Sequence, residues 1–379
     1  MRVLIAGGGT GGHLFPGIAL AEELLTRHPN NDVLFVGTQR GLEARIVPTA
    51  GYKLDLISAR ALNGVGIARA LLGLLSLPLA LFQSWRILLR YRPDVVIGVG
   101  GYASGPLVLA ARIEGIPTAV QEQNALPGLT NRILGRIANA AFIAFEEARP
   151  FFSTKQVHLT GNPTRRQLLD NYLRSRVAHE RFSILIFGGS QGSHAINVRA
   201  IEALDELADL KDQLHFIHQP GTTELEYVRQ QYAQRGFSAE VVPFIEDMSS
   251  AYAKVELVIC RAGATTLAEL TVCRKAAILI PFPQATNNHQ EVNARAMVES
   301  GAALMFREAE LTGKELAKQI RMLKADPKRL QEMERRAGML GRPEAAKEMA
   351  DFCVEMMVEH WGLHGRPQKD PKGQPEKTA

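Results

Sequence analysis

Short apolar runs alternate with amphipathic stretches of helical period along most of the chain. In the first half the runs fall at residues 2–6, 33–37, 94–99, 117–121 and 141–144; in the second they fall at 183–187, 214–218, 240–243, 256–260 and 276–280. Unbroken apolar runs of roughly 4–8 residues are what strands buried on both faces require. Helical patterns cover residues 16–27, 194–208, 222–234, 264–273, 288–300 and 312–324, with a last amphipathic helix over 344–360. Strand and helix in alternation predict a parallel α/β architecture. Glycine and proline at Gly161-Asn162-Pro163 mark a break. The chain therefore reads as two domains, 1–161 and 162–343, followed by the last helix. Residues 362–379 are polar and carry three prolines, which predicts a disordered tail.

Composition narrows the class. At 379 residues the chain can hold two cores, and 46% apolar with 22% charged residues is ordinary for a globular protein. Cys260, Cys273 and Cys353 form no CxxC pair, which argues against a disulfide framework or a zinc site and fits a reducing compartment. A strand begins at Arg2 or Val3, leaving no room for a signal peptide. Charge is unevenly placed: residues 1–165 hold 16 basic against 10 acidic residues, and the remainder holds 28 against 29. A basic first half predicts an anionic partner surface. No aromatic-rich basic cluster or nucleic-acid motif accompanies it, so nucleic acid is not the expected partner.

Candidate chemistry sits at the ends of the apolar runs. Val3-Leu4-Ile5-Ala6 enters Gly7-Gly8-Gly9-Thr10-Gly11-Gly12-His13, and Ile184-Leu185-Ile186-Phe187 enters Gly188-Gly189-Ser190-Gln191-Gly192. Such turns place backbone N–H groups and a helix N-terminus where an anion can sit. Gly7, Gly9 and Gly12 satisfy the dinucleotide fingerprint, yet the second strand ends Val36-Gly37-Thr38 without the acid that would hold a ribose. A tight strand-to-helix turn without ligand is the plainer alternative. His13, at the end of the loop, is a candidate general base. A third glycine cluster, Gly98 to Pro106, follows Val95-Val96-Ile97 and brings N–H groups and the Ser104 hydroxyl to the same strand ends.

Gln121-Glu122-Gln123-Asn124 ends another strand and suits hydrogen bonding to a sugar or peptide, or a capped turn. Arg261, after Leu257-Val258-Ile259, offers charge to a diphosphate, as does the N-terminus of the helix that follows. Glu269 in that helix is either a ribose ligand or an ordinary surface acid. Asn287, Asn288 and Gln290 bring amides to a helix start. HxH, HExxH and DxD are absent from the sequence, so dipoles and Arg261 are expected to meet a leaving diphosphate without a divalent ion.

The stretch 56–93 holds Arg60, Arg69, Arg86, Arg90 and Arg92 and no acid, around an apolar run from Leu71 to Phe82 that contains Pro78. It is shorter than the roughly 20 apolar residues of a spanning helix. A membrane-surface patch of Leu71, Leu72, Leu75, Leu79, Phe82, Trp85 and Arg86 fits it, the alternative being a buried core helix.

Taken together, GGGTGGHLFPGIALAEEL, GVGGYASGP, QEQNALPGLTNRIL, GNPTRR, FGGSQGS, CRAGATTLAEL and PFPQATNNHQEVNA resemble, in this order, the MurG family of bacterial cell-wall glycosyltransferases. The resemblance spans about residues 1–355. It implies a GT-B fold: two Rossmann-like domains whose parallel sheets face each other across a deep cleft, with helix 344–360 packing back on the first. It implies transfer of N-acetylglucosamine from UDP-N-acetylglucosamine to the muramyl C4 hydroxyl of lipid I, with inversion, giving lipid II for peptidoglycan synthesis. By resemblance, Thr10, Gly11, Gly12, Asn124, Arg165, Ser190, Ile245, Arg261, Ala264, Thr265, Thr266, Leu267, Ala268, Glu269 and Gln290 hold the donor. Glu269 takes the ribose and the backbone near Ile245 the uracil. Gly100, Gly101 and Tyr102 form an acceptor-diphosphate loop, and His13 and Glu122 are the acid–base candidates. No cofactor or metal is implied. The family works at the cytoplasmic face of the inner membrane as a peripheral enzyme, beside other cell-wall synthesis enzymes, in cell shape and division. One departure is Gln121, where many members carry His; it cannot act as a base. Rival readings are a GT-B enzyme with another acceptor, a UDP-sugar epimerase, or a non-catalytic nucleotide binder.

Overall fold

A computed structural model describes residues 1–39, 41–60, 67–154, 156–175 and 180–363. From residue 364 on, the expected tail lies outside the described residues. The chain divides into two compact units, Met1–Arg165 together with the segment from Glu344, and Arg166–Pro343.

In the first unit seven strands form one parallel sheet: β1 (Arg2–Ala6), β2 (Asp32–Thr38), β3 (Lys53–Ile57), β4 (Val95–Gly98), β5 (Thr118–Glu122), β6 (Ala140–Ile143) and β7 (Gln156–Leu159). Their order is β3-β2-β1-β4-β5-β6-β7. The connecting helices are α1 (Gly11–Arg27), α2 (Glu43–Thr49), α3 (Ile67–Tyr91), α4 (Ser104–Ile113) and α5 (Leu129–Leu134).

Strand side chains alternate between faces, so β1 feeds two cores. Val3 and Ile5 pack with Phe35, Ile97 and the apolar face of α1. Leu4 and Ala6 pack with Val36, Val96, Leu88 and Leu107.

The second unit repeats the plan with β8 (Phe182–Phe187), β9 (Leu214–Gln219), β10 (Ser238–Val241), β11 (Leu257–Cys260), β12 (Ala276–Leu279) and β13 (Ala303–Met305), in the order β10-β9-β8-β11-β12-β13. Its helices are α6 (Arg166–Ser175), α7 (His194–Glu206), α8 (Leu225–Gln234), α9 (Met248–Ala253), α10 (Ala264–Val272), α11 (His289–Glu299), α12 (Gly313–Ala325) and α13 (Pro327–Leu340). The last helix, α14 (Ala345–Trp361), belongs to the first unit. Met349, Cys353 and Met357 enter the core built on α1. Arg27 pairs with Asp351 at 2.6 Å, and the Trp361 indole donates to the Asp94 carbonyl at 3.0 Å.

The observed strands include three that the apolar pattern does not reveal: β3, β7 and β13. All three are sheet edges. An edge strand is half-solvated, so Lys53-Leu54-Asp55-Leu56 and Gln156-Val157-His158-Leu159 interleave polar residues and escape a search for apolar runs. Helix α13 was also unmarked, although Asp326 caps it through the Arg329 N–H at 3.0 Å and Pro327 opens it. Helix α3 runs through Pro78 without a break. Among the described residues no helix is long and apolar enough to cross a membrane. The three cysteines are buried and unbonded.

Candidate active site and donor loops

In each sheet the strand order reverses beside the first strand, between β1 and β4 in one unit and between β8 and β11 in the other. Open α/β sheets bind ligands at the carboxyl ends of strands at such a switch point. The glycine-rich loops lie there.

In the first unit, the loop after β1 meets the loop after β4. The His13 ring lies directly against Gly100, whose φ is +97°; a Cβ there would stand 2.5 Å from His13 Cδ2. Thr10 Oγ1 lies 3.0 Å from His13 Nδ1. With a proton on Nδ1 donated to the hydroxyl, Nε2 carries the lone pair of a base. Thr10 and Gly12 are exposed and Gly11 is half-buried, and Tyr102 extends outward from the neighbouring loop. Ser104 does not reach the strand-end surface as expected. Its buried hydroxyl is spent on the Ala6 and Gly100 carbonyls, at 2.7 and 2.8 Å, and accepts from the Gly100 N–H at 3.1 Å.

Glu122, at the end of β5, is buried. Its carboxylate is 1% exposed and accepts from the Asn124 N–H and side-chain amide, at 3.0 and 3.1 Å, the Gly128 N–H at 3.2 Å and the Asn131 amide at 2.9 Å. Burial pushes its carboxyl above the ordinary range, against those donors. The carboxylate is enclosed in its own loop, where it holds the Asn124 backbone and side chain. Gln121 is likewise buried and donates to Asn162 at 3.0 Å, while Gln123 donates to the Val99 carbonyl at 2.7 Å.

Glu43 is a residue that sequence reasoning passed over. Its buried carboxylate accepts from the Gly9 N–H at 2.8 Å and from the Thr38 N–H and hydroxyl at 2.8 and 2.9 Å. Arg165 stands at the end of this unit, exposed, with its guanidinium 5.8 Å from the centre of the Phe15 ring.

In α3 the exposed face carries Leu75, Leu79, Phe82, Trp85, Arg86 and Leu89, while Ala80, Ser84 and Leu88 are buried on the other. Leu71 and Leu72 lie outside the residues whose side chains are described. Ile113 on α4, and Leu129 and Ile133 on α5, add exposed apolar groups that the sequence reading left out; α4 packs against both α3 and α5.

In the second unit, Arg261 is not a free cation. Its guanidinium donates to the Ile280 and Pro281 carbonyls at 3.1 Å each, to Ser193 at 2.7 Å and to Glu308 at 2.5 Å. It braces the loop that carries Ser190. Gln219, at the end of β9, does similar work unannounced by any motif: it donates to the Gly189 carbonyl at 2.8 Å and accepts from the Ile245 N–H at 2.9 Å. The N–H of Ile245 is therefore already used. Gly192, with φ +79°, touches the Pro220 carbonyl, where a Cβ would stand at 1.9 Å. Asn197 bridges the same two loops by donating to Pro220 at 3.0 Å, and its oxygen faces His218 Nε2 at 3.1 Å.

Helix α10 starts at Ala264 with Gly263 as its extended N-cap. Ala264 and Leu267 are buried, Thr266 and Ala268 half-buried, and the Thr265 hydroxyl is buried without a partner. Glu269 accepts from the Tyr252 hydroxyl at 3.0 Å. Burial, then Glu269 itself, pushes the Tyr252 phenol well up, so it remains a donor. Asn287 and Asn288 both adopt left-handed φ, +53° and +55°, and deliver Gln290 into the first turn of α11. Gln290 accepts from the Ala262 and Phe282 N–H groups at 3.2 and 3.0 Å. A recess of about 610 Å3 nearby is lined by His194, Pro281, Asn288, Glu291, Arg307 and Glu308, and by none of the expected donor residues.

Residues 3–143 match the glycosyltransferase family 28 N-terminal domain, and residues 183–350 match the family 28 C-terminal domain. A Myxococcus xanthus protein named UDP-N-acetylglucosamine–N-acetylmuramyl-(pentapeptide) pyrophosphoryl-undecaprenol N-acetylglucosamine transferase is 67% identical over 97% of this chain and 96% of its own. The chain belongs to the MurG family of glycosyltransferases. The crystal structure of Acinetobacter baumannii MurG superposes with a TM-score of 0.78 at 31% identity, covering 93% of this chain and 99% of that one. A Neisseria meningitidis UDP-GlcNAc 2-epimerase, solved bound to UDP-GlcNAc, shares the fold (TM-score 0.66, 95% and 100% coverage) at only 15% identity. A fold alone does not carry an activity. The family members carry two Rossmann-like α/β units, as this chain does.

Proposed function

We propose that this chain transfers N-acetylglucosamine from UDP-N-acetylglucosamine to the C4 hydroxyl of the N-acetylmuramyl-pentapeptide of lipid I, releasing UDP and forming lipid II. The observation that carries this reading is the 67% identity, over nearly the whole chain, to an enzyme with that printed name. In the mechanism, the acceptor oxygen attacks the anomeric carbon, the bond to the UDP oxygen breaks, and the centre inverts. The hydroxyl proton passes to His13 Nε2, with Nδ1 held by Thr10. A base so placed contributes roughly 10²–10⁴-fold. Gly100, Gly101 and Tyr102 receive the acceptor diphosphate, and Asn124, aimed by Glu122, meets the sugar.

On the donor side, Glu269 accepts the ribose hydroxyls while Tyr252 fixes one of its oxygens. The N-terminal turn of α10 faces the diphosphate with its N–H groups and the unpartnered Thr265 hydroxyl, joined by Ser190. Arg261 acts on the diphosphate by bracing the Ser190 loop as well as through its charge. Arg165, Ile245, Ala264, Thr266, Leu267, Ala268 and Gln290 complete the donor contacts, with Thr10, Gly11 and Gly12 near the sugar and the reacting bond. The exposed apolar face of α3, with Arg86 beside it, docks on an anionic membrane surface. On this reading the enzyme is a peripheral protein on the cytoplasmic face of the inner membrane, serving cell shape and division alongside other cell-wall synthesis enzymes.

The test is transfer of labelled N-acetylglucosamine to a lipid I analogue in detergent, without added metal. A β-1,4-linked product is expected. UDP-sugar binding without transfer would favour another acceptor or a non-catalytic binder.

A further inference from the structure

A glycine-rich turn after the first strand ordinarily offers its N–H groups to a ligand's phosphates. In the first unit one of these N–H groups is already taken. The Gly9 N–H donates to Glu43 at 2.8 Å, and Thr38 holds the other oxygen through its N–H and hydroxyl at 2.8 and 2.9 Å. The slot around this carboxylate is made of glycine from three separate positions. A Cβ at Gly8, Gly37 or Gly41 would lie 2.1, 2.2 or 2.0 Å from a Glu43 atom. Glu43 is 1% exposed, and a buried carboxylate persists only where donors replace its water. Three side-chain-free walls and three donors together form a cradle fitted to one carboxylate, and the chain supplies it.

We propose that Glu43 is a positioning residue for the transfer reaction: its carboxylate fills the anion cradle of the first glycine-rich loop, fixes the segment carrying Thr10 and His13, and closes that cradle to nucleotide diphosphates. A nucleotide diphosphate is thereby kept off the Gly9 N–H, where a second anion would meet a buried negative charge. His13 lies four residues beyond Gly9, and its Nδ1 contact to Thr10 inherits the loop's placement. The link to rate rests on the reading of His13 as the base.

The test is Glu43→Ala in the full chain, with initial rates at varied UDP-N-acetylglucosamine and a lipid I analogue. The expected result is kcat lowered at least about tenfold with the donor KM within about twofold, the split that marks an interaction lost only in the transition state. Formate at tens of millimolar should recover much of that loss, since it fits the slot vacated between the glycines, and should leave the unaltered enzyme unaffected. A kcat within about twofold of the unaltered enzyme, or a lost rate that formate does not restore, would overturn the proposal. A second measurement needs no variant. The Gly9 amide of the unaltered protein should exchange with solvent at least about 100-fold more slowly than an open loop; exchange at the open-loop rate overturns the proposal even where Glu43→Ala does not fold. Failure of the base assignment looks different: His13→Ala would then leave kcat unchanged while Gly9 stayed protected.

Discussion

Arg261 and Glu308 form an ion pair at 2.5 Å in which the arginine side chain is 11% exposed and the glutamate 30%. The arginine that sequence assigns to the substrate's phosphates is thus also a strut, reaching Ser193 and two carbonyls with the same guanidinium. Lysine keeps the charge but not the fork. Arg261→Lys should therefore raise the donor KM and also lower stability by about 1–3 kcal/mol, the cost of hydrogen bonds to a charged group left unmade. Urea unfolding beside initial-rate kinetics reads both; a raised KM with unaltered stability would return Arg261 to a purely ligand-facing role.

His13→Ala removes the proposed base and leaves the donor loops of the second unit untouched. Turnover should fall by roughly 10²–10⁴-fold with little change in donor KM. Steady-state rates at saturating acceptor measure this, and an unchanged kcat removes His13 from the mechanism.

For the ribose, Glu269→Ala should weaken UDP binding markedly in calorimetry. Tyr252→Phe deletes only the hydroxyl that orients Glu269, a single hydrogen bond worth about 0.5–1.5 kcal/mol, so its effect should be several-fold and smaller. Equal losses in the two variants would sink this ordering.

His218 sets a pH dependence. The imidazole is fully buried between Tyr232 and Asn197, at 3.0 and 3.1 Å, and burial pushes its pKa down to about 3 from 6.5. Between those values the unfolded chain binds a proton that the native state does not. Stability therefore falls as pH drops from 6.5 toward 3, by at most about 1.4 kcal/mol per unit from this group, and is independent of it above 6.5. Urea midpoints at neutral pH and near pH 5 should show the loss; His218→Gln should flatten the slope. An equal slope in the variant would assign the acid sensitivity elsewhere.

Leu79→Glu with Phe82→Glu places two charges on the exposed face of α3. Sedimentation with vesicles containing anionic lipid should fall about tenfold or more, since each exposed apolar side chain contributes roughly 1.5–3 kcal/mol when buried. Transfer to a water-soluble acceptor analogue should be unaltered. Binding that persists would place the membrane contact on another face.

What the chain discloses in advance follows from what periodicity can report. Strands buried on both faces, such as Val3–Ala6 and Leu257–Cys260, are uniformly apolar and stand out. The edges β3 and β7 carry polar residues on a wet face and do not, and β13, Ala303–Met305, is only three residues long. The candidate site divides the same way. Loops built from glycine announce themselves by composition, so the surroundings of His13, Gly100 and Ser190 were readable. The struts beneath them were not. Glu43, Gln219, Asn197 and Glu308 are single polar residues in unremarkable contexts, and only the fold reveals that each is aimed at a loop distant in sequence. The hydrogen bonds that enclose Glu122 were equally hidden: a carboxylate at a strand end shows in the sequence, its four donors do not.

The return of α14 to the first unit has a consequence for synthesis. Met349, Cys353 and Met357 complete a core whose other members begin at Val3, so this unit spans the second one in chain order. On the ribosome, the second unit can close its core while the first still exposes the α1 face awaiting its last helix. A nascent chain stalled anywhere before Ala345 therefore presents an unfinished apolar surface. The first unit becomes a contiguous folding module only if the chain is permuted so that α14 precedes β1.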